Sequence, residues 1–189
     1  EWKPKKEIIG VIQIAHGVTE HILRYEHFAE YFTQRGFVVV GNDHLGHGTS
    51  IAPNSKPMYF GPKNSWNFVV KDMETCRKMT KEKYPEEPID AVIIMGTGYI
   101  PNFKIAIAKM LANKEAKKVG EENTSPVIKG LTFETYNQLF KPNRTECDWL
   151  CANEEAIDEY LEDPLIGESY SAGLFRELLS GMQYTSNLK

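Results

Sequence analysis

Two short apolar runs with an amphipathic segment between them stand near the start of the chain. Residues 7–15 (EIIGVIQIA) are rich in β-branched side chains, and residues 37–40 (FVVV) are wholly apolar. Residues 25–35 repeat apolar side chains at helical spacing. This order predicts a buried strand, a helix and a second buried strand. Because short links join the three, we expect a βαβ unit with parallel strands and a right-handed crossover.

The next stretch predicts a long loop, a second helix and a third strand. Residues 43–62 contain three glycines, three prolines and one asparagine, which are typical of a loop. Residues 65–84 predict a helix that Pro85 ends. Residues 90–95 (DAVIIM) form a short apolar run and predict a third buried strand.

From Pro101 onward the pattern is helical. Apolar residues recur at helical spacing in short segments that glycine and proline separate, and no strand-like run occurs. We therefore expect a helical appendage, residues 101–189, on a parallel α/β core formed by residues 1–100.

Composition narrows the classes of protein that fit. A chain of 189 residues has room for one domain with a sizeable core. The formal net charge is −4, and lysine and arginine alternate with acids, which argues against a nucleic-acid partner. No apolar run reaches the roughly 20 residues that cross a bilayer. The three cysteines, Cys76, Cys147 and Cys151, predict free thiols in a reducing cytoplasm.

Two polar segments follow directly on the first two predicted strands. Residues 16–21 (HGVTEH) and 41–50 (GNDHLGHGTS) resemble the HG-x-x-EH and D-x-x-GHG-x-S signatures of the lysophospholipase and monoacylglycerol-lipase branch of the α/β-hydrolases. Each signature alone is weak, but the pair in this order on consecutive strand ends is specific. Residues 95–99, 140–145 and 148–150 also resemble bacterial members, so the resemblance touches most of the chain.

The resemblance implies an α/β-hydrolase fold, a mostly parallel sheet flanked by helices. Residues 1–100 would be part of the core and residues 101–189 a helical cap. It also implies a serine hydrolase that cleaves lysophospholipid or monoacylglycerol esters through an acyl-enzyme, with no cofactor or metal. A small lipid ester is the expected partner, together with transient contact between the cap and a membrane surface. Nothing indicates the oligomeric state.

The resemblance also assigns site residues. Ligands of an open parallel sheet gather outside the carboxyl ends of its strands, where both signatures would lie. In this fold the loop after the third strand of the full sheet donates one backbone N–H to the oxyanion hole. Carried onto this chain, that donor is Val18, held by His16 and Gly17. The residues expected to brace the loops are Glu20, His21, Asp43, Gly46, His47 and Gly48.

Two plainer interpretations of these loops remain open. His16 and Gly17 are also what a strand end with a satisfied histidine and a turn glycine would show. A metal site built from Asp43, His44 and His47 is a weaker alternative, because two histidines three apart in a glycine loop do not share a helical face.

The sequence cannot assemble a Ser-acid-His triad by itself. It contains no G-x-S-x-G, and all five histidines lie at or before His47, so no base follows a nucleophile in the required order. The nearest imitation, residues 169–173 (SYSAG) around Ser171, is interpreted as an ordinary cap loop. The polypeptide runs from Ile89 straight into Asp90, as though the strand, elbow and helix of the relatives had been cut out.

That gap supports a hypothesis and an alternative. Removing a central strand would expose buried faces at a cost of many kcal/mol, so we expect that Ile89 and Asp90 are not adjacent in the parent protein. The alternative is a catalytically inactive binding module that has lost the elbow, and a lyase or peroxidase on the same scaffold is a third possibility. Within the cap, the candidates for an acyl pocket, for which plain packing is the favoured interpretation, are Phe103, Ile105, Ile107, Met110 and Leu111.

Overall fold

The computed structural model describes residues 1–87, 93–94, 100–167 and 169–187. Its two strands are β1 (Gly10–Ile14) and β2 (Phe37–Gly41). Its α-helices are α1 (Glu26–Thr33), α2 (Trp66–Lys83), α3 (Asn102–Val119), α4 (Pro126–Leu131), α5 (Phe133–Asn137), α6 (Glu154–Glu162) and α7 (Ala172–Ser186).

The first three elements form the predicted βαβ unit. β1 and β2 pair in parallel with Gly10 opposite Phe37 and Ile14 opposite Gly41, and α1 connects them and packs on β2. Val38 and Val39 are fully buried, as their apolar run predicts. In β1 only Ile14 is buried and Gln13 is exposed, so the predicted burial of the first strand is wrong for most of its length. Because the strands are parallel and in register, the loops that follow them emerge side by side.

The long helix α2 confirms the helix predicted at residues 65–84, within one residue at each end. Ser65 is buried at its start, and Pro85 follows closely on its end. The helix contacts both β2 and α7. It therefore joins the sheet to the helical part of the chain.

The helices from residue 102 onward build a second packed layer around α3 and α7. Ile105, Ala112 and Leu179 are buried between these two helices. Gly181 lets α7 approach α2 closely, because a Cβ there would lie 2.3 Å from Cε2 of Trp66. The division of the chain into core and cap at residue 100 stays a prediction.

A buried charged cluster ties α7 to the rest of the protein. The Arg176 guanidinium donates to the carboxylates of Glu177, at 3.0 Å, and Glu121, at 2.5 Å. The second oxygen of Glu177 accepts the Trp66 backbone N–H at 3.2 Å, at the start of α2. Arg176 and Glu177 are both almost fully buried. Sequence patterning did not predict this cluster, since charged residues are ordinarily exposed.

Two predicted features fall partly or wholly outside the described residues. Of the third strand predicted at residues 90–95, only Ile93 and Ile94 are described; neither lies in a strand, and their exposed fractions of 86% and 73% contradict the predicted burial. The Ile89–Asp90 junction and residues 96–99 lie outside the described residues.

The candidate acyl-pocket residues on α3 divide between two faces of the helix. Ile105 is fully buried against α7, so packing explains it. Phe103, Ile107 and Met110 are between 57% and 69% exposed and lie on the opposite side.

No described helix is both long enough and apolar enough to cross a membrane.

Candidate active-site loops

The loops after β1 and β2 are joined by two histidines. Nε2 of His16 accepts the backbone N–H of His44 at 2.9 Å, and Nε2 of His44 lies 3.0 Å from the carbonyl oxygen of His16. Nδ1 of His16 lies 2.7 Å from the carbonyl oxygen of Gly17. These contacts assign the proton of His16 to Nδ1 and that of His44 to Nε2. The acceptor role of its Nε2 makes the His16 ring neutral, and both imidazoles brace the two loops.

Asp43 is the hydrogen-bond acceptor at the centre of the second loop. Its Oδ1 accepts the Ile22 backbone N–H at 2.8 Å, and its Oδ2 accepts both the backbone N–H and the hydroxyl of Thr49 at 2.8 Å. Burial alone would raise the pKa of Asp43, but these hydrogen bonds outweigh it and lower the pKa. The carboxylate stays ionised and holds the two loops together.

Two glycines make room for this arrangement. Gly48 has φ +46°, and a Cβ there would lie 2.4 Å from Oδ2 of Asp43. Gly46 has φ +71°, and a Cβ there would lie 2.1 Å from the carbonyl oxygen of Tyr59. Both positions therefore require glycine for conformation and for space.

His16, His44 and His47 form a buried cluster of rings. The ring centroids of His16 and His44 are 4.1 Å apart, and those of His16 and His47 are 5.5 Å apart. Burial lowers the pKa of His44 and of His47 to about 4, and it also lowers the pKa of His16. At neutral pH the cluster is therefore uncharged.

Val18 lies in a tightly held turn. Glu20 accepts the Gly17 backbone N–H and, at 2.8 Å, the Tyr25 hydroxyl. None of the described residues accepts a hydrogen bond from the Val18 backbone N–H. The Val18 side chain packs on a cluster that contains Met58. Among the described residues, the neighbouring Gly17 N–H thus has an acceptor, whereas that of Val18 has none.

Helix α6 contacts the first loop from the helical layer. Nε2 of His21 lies 2.7 Å from Oδ2 of Asp163, and the Tyr160 hydroxyl donates to the carbonyl oxygen of Thr19 at 3.0 Å. Sequence analysis missed Thr49, Tyr160 and Asp163. Thr49 lies inside the second signature, whereas nothing in the local pattern of α6 indicates a contact 141 residues away.

The structure brings all of the predicted site residues into two adjacent loops. His16, Gly17, Val18, Glu20 and His21 lie in the first, and the second contains Asp43, Gly46, His47 and Gly48. Their proposed roles in catalysis stay predictions, as does the interpretation of the glycine and histidine as a plain strand end.

The metal alternative finds no support in the described part of the chain. Within it, no group of three His, Cys, Asp or Glu side chains is arranged to hold a metal ion. Asp43 and His44 instead use their side chains in the hydrogen bonds that brace the loops.

Ser171 caps the start of α7 and is buried in the structure. Its hydroxyl accepts the Leu174 backbone N–H at 3.1 Å and caps α7, and its side chain is almost fully buried. It follows a loop, and its backbone pairs with Thr124 in an isolated antiparallel bridge. A helix-capping serine of this kind agrees with its interpretation as a loop residue of the helical layer.

The sequence of this chain is similar to those of known hydrolases. A family model described as serine aminopeptidase, S33, matches residues 6–99. The rat (Rattus norvegicus) monoglyceride lipase is 26% identical over 181 residues, covering 87% of this chain and 55% of that protein. The monoacylglycerol lipase of Mycolicibacterium smegmatis is 45% identical over 49 residues, which are 26% of this chain and 18% of that protein.

Among solved structures, a thermostable carboxyl esterase from Bacillus coagulans in complex with glycerol matches with a TM-score of 0.81. The identity is 21%, and the match covers 96% of this chain and 66% of the esterase. This likeness confirms the predicted fold, that of an α/β-hydrolase. In sequence, the chain is similar to monoglyceride lipases over most of its length. It spans about half the length of the mammalian relatives that it matches.

Proposed function

We propose that the protein containing this chain is a carboxylic ester hydrolase that acts on monoacylglycerol or lysophospholipid esters. The observation that carries the proposal is the braced pair of loops at the carboxyl ends of β1 and β2, with Val18 at the turn of the first loop. The similarity to monoglyceride lipases supports the glycerol-ester substrate.

The Val18 backbone N–H is the proposed oxyanion donor. The Gly17 N–H is engaged by Glu20, so the next free donor along the loop is that of Val18. A preorganised N–H aimed at the developing negative charge lowers the barrier of acyl transfer, and loss of one such donor typically costs 10²–10³-fold in kcat. The network of His16, His44 and Asp43 would hold this donor in place without reorganisation during the reaction.

The proposed reaction proceeds through an acyl-enzyme on a serine. A histidine takes the proton of the serine hydroxyl as the oxygen attacks the ester carbonyl, and the alcohol then leaves with that proton. Water, deprotonated by the same histidine, cleaves the acyl-enzyme, and the serine regains its proton as the fatty acid is released. The 189 residues contain no G-x-S-x-G and no histidine after His47, so the proposal places the triad in other parts of the natural protein.

The exposed apolar side chains of α3 are the proposed contact with the lipid. Phe103, Ile107 and Met110 present one apolar face of a helix that also carries several lysines. Such a face suits either the acyl chain or the surface of a membrane that contains the substrate.

The test uses the natural protein at its full length. Its intact mass is measured first, and the protein is then incubated with a fluorophosphonate probe and with monoacylglycerol and lysophosphatidylcholine substrates. A mass above 21.6 kDa, a single labelled serine and ester turnover would support the proposal. A mass of 21.6 kDa with neither label nor turnover would favour the inactive binding module.

A matched pair of glycine variants tests the oxyanion loop. Gly17→Ala would place a Cβ 2.7 Å from Oε1 of Glu20, so the carboxylate that holds the Gly17 N–H must move, and we expect kcat to fall as the loop loses this contact. The control is Gly130→Ala in α4, where the nearest atom would be 3.6 Å away. Equal activity of the two variants would count against Val18 as the donor.

A further inference from the structure

Residues at the C-terminal end of α6 form hydrogen bonds with the loop that contains the proposed oxyanion donor. Tyr160 and Asp163 are three residues apart, so they lie on one side of the turn that ends the helix. Both contact residues that closely follow Val18 along the chain. The contacts therefore cross from the helical layer to the loop after β1.

Tyr160 holds the residue directly after Val18. Its hydroxyl lies 3.0 Å from the carbonyl oxygen and 3.0 Å from the hydroxyl oxygen of Thr19. Thr19 has φ +64°, a left-handed conformation that a β-branched residue rarely adopts. A residue in such a conformation persists when its surroundings hold it there, and the Tyr160 hydroxyl is one of the groups that do so.

Asp163 anchors the following turn. Its Oδ2 lies 2.7 Å from Nε2 of His21 and 3.7 Å from the Arg24 guanidinium, while its Oδ1 accepts the Leu165 backbone N–H at 2.9 Å. The Arg24 guanidinium carbon also lies 5.0 Å from the centre of the Tyr160 ring. Tyr160 in α6, Asp163 directly after it and the loop thus form one connected unit, with His21 buried inside it.

We infer that Tyr160 and Asp163 are positioning residues that orient the Val18–Thr19 peptide, so that the placement of α6 controls the oxyanion donor. This inference rests on the proposed ester hydrolase. It assigns α6 a role in the chemical step in addition to any role in binding substrate. The two residues act through the loop and do not touch the reacting atoms.

The test compares Tyr160→Phe with Tyr136→Phe in the full natural protein. Tyr160→Phe removes only the hydroxyl that holds Thr19, so we expect kcat to fall about tenfold while KM stays within twofold. Tyr136 is half exposed and rests on Trp149, so its hydroxyl serves as the control, and both constants should stay unchanged. Unchanged kcat in Tyr160→Phe would overturn the inference and leave the proposed function standing.

Asp163 offers a graded second test. Asp163→Asn keeps an acceptor for His21 and Asp163→Ala does not, so we expect a smaller loss of kcat for Asn than for Ala. Equal losses in the two variants would contradict a role through this hydrogen bond.

Amide hydrogen exchange separates the inference from the proposed function. We expect the backbone amides of residues 16–25 to exchange faster in Tyr160→Phe than in the unchanged protein, while those of β2 do not change. If the unchanged protein hydrolyses no ester, the proposed function fails, and faster exchange would still support the positioning role. Identical exchange in the two proteins would overturn it.

Discussion

His16 and His44 exchange hydrogen bonds between side chain and backbone across the ends of two parallel strands. Each ring engages the main chain of the other residue, at 2.9 and 3.0 Å. The exchange requires the His16 ring to be neutral, because its Nε2 is the acceptor, whereas Nε2 of His44 is the donor. It joins the first loop, which contains Val18, to the second, which contains Asp43.

Loss of the His16 ring should destabilise the protein. His16→Ala leaves the buried His44 N–H without an acceptor, and we expect the free energy of unfolding to fall by roughly 2–3 kcal/mol. Urea unfolding followed by circular dichroism measures it. The control is His27→Ala, since the His27 side chain is fully exposed and its loss should leave the midpoint unchanged. Similar midpoints for the two variants would contradict the bracing role.

Gly48→Ala should disrupt the Asp43 network. The alanine Cβ would lie 2.4 Å from Oδ2 of Asp43, at a φ of +46° that favours glycine. We expect a loss of roughly 2 kcal/mol or more in the free energy of unfolding, from strain and broken hydrogen bonds together. Gly130→Ala has space for its Cβ and should be neutral or slightly stabilising. Thermal unfolding of both variants checks the contrast, which a stable Gly48→Ala would refute.

The buried histidines should make the protein sensitive to acid. His44 and His47 have pKa values near 4 in the folded protein, against an ordinary 6.5. Between these pH values the unfolded chain binds more protons, so the free energy of unfolding falls as pH falls from about 6.5 to 4. The shift corresponds to roughly 3 kcal/mol per histidine.

A variant isolates the contribution of one ring. The free energy of unfolding should fall between pH 7 and pH 4 in both proteins, and we expect the fall to be roughly 3 kcal/mol smaller in His47→Gln than in the unchanged protein. The reason is that the glutamine side chain does not titrate. The control is His27→Gln, because the His27 side chain is fully exposed. Urea unfolding at four pH values provides the comparison, and parallel curves for all three proteins would refute the prediction.

The βαβ unit and the two loops were predictable because their signals are local. A run of β-branched residues favours a strand wherever it is placed, and glycine and proline mark the ends of helices such as α2. Once two strands are parallel, the loops after them must meet, so the neighbourhood of His16 and Asp43 follows from the order of the elements.

The remaining features depend on contacts that periodicity does not encode. Ile93 and Ile94 have the apolar character of a buried strand, yet burial also needs a neighbouring element to cover them, and both are exposed. The contact of Tyr160 with Thr19 joins residues 141 positions apart. Nothing in the local pattern of either segment selects the other.

Removing one partner of the buried ion pair between Arg176 and Glu177 should strongly destabilise the protein. Arg176→Met removes the guanidinium and leaves the Glu177 carboxylate, 1% exposed, without its charged partner. We expect the free energy of unfolding to fall by about 3–5 kcal/mol. The control is Arg144→Met, which breaks a solvent-exposed pair with Asp158 and should change the urea midpoint far less. The double variant with Glu177→Met should recover part of the loss, because the unpaired buried charge is then gone. Failure of the double variant to recover any stability would show that packing of the Arg176 side chain, and not its charge, stabilises α7.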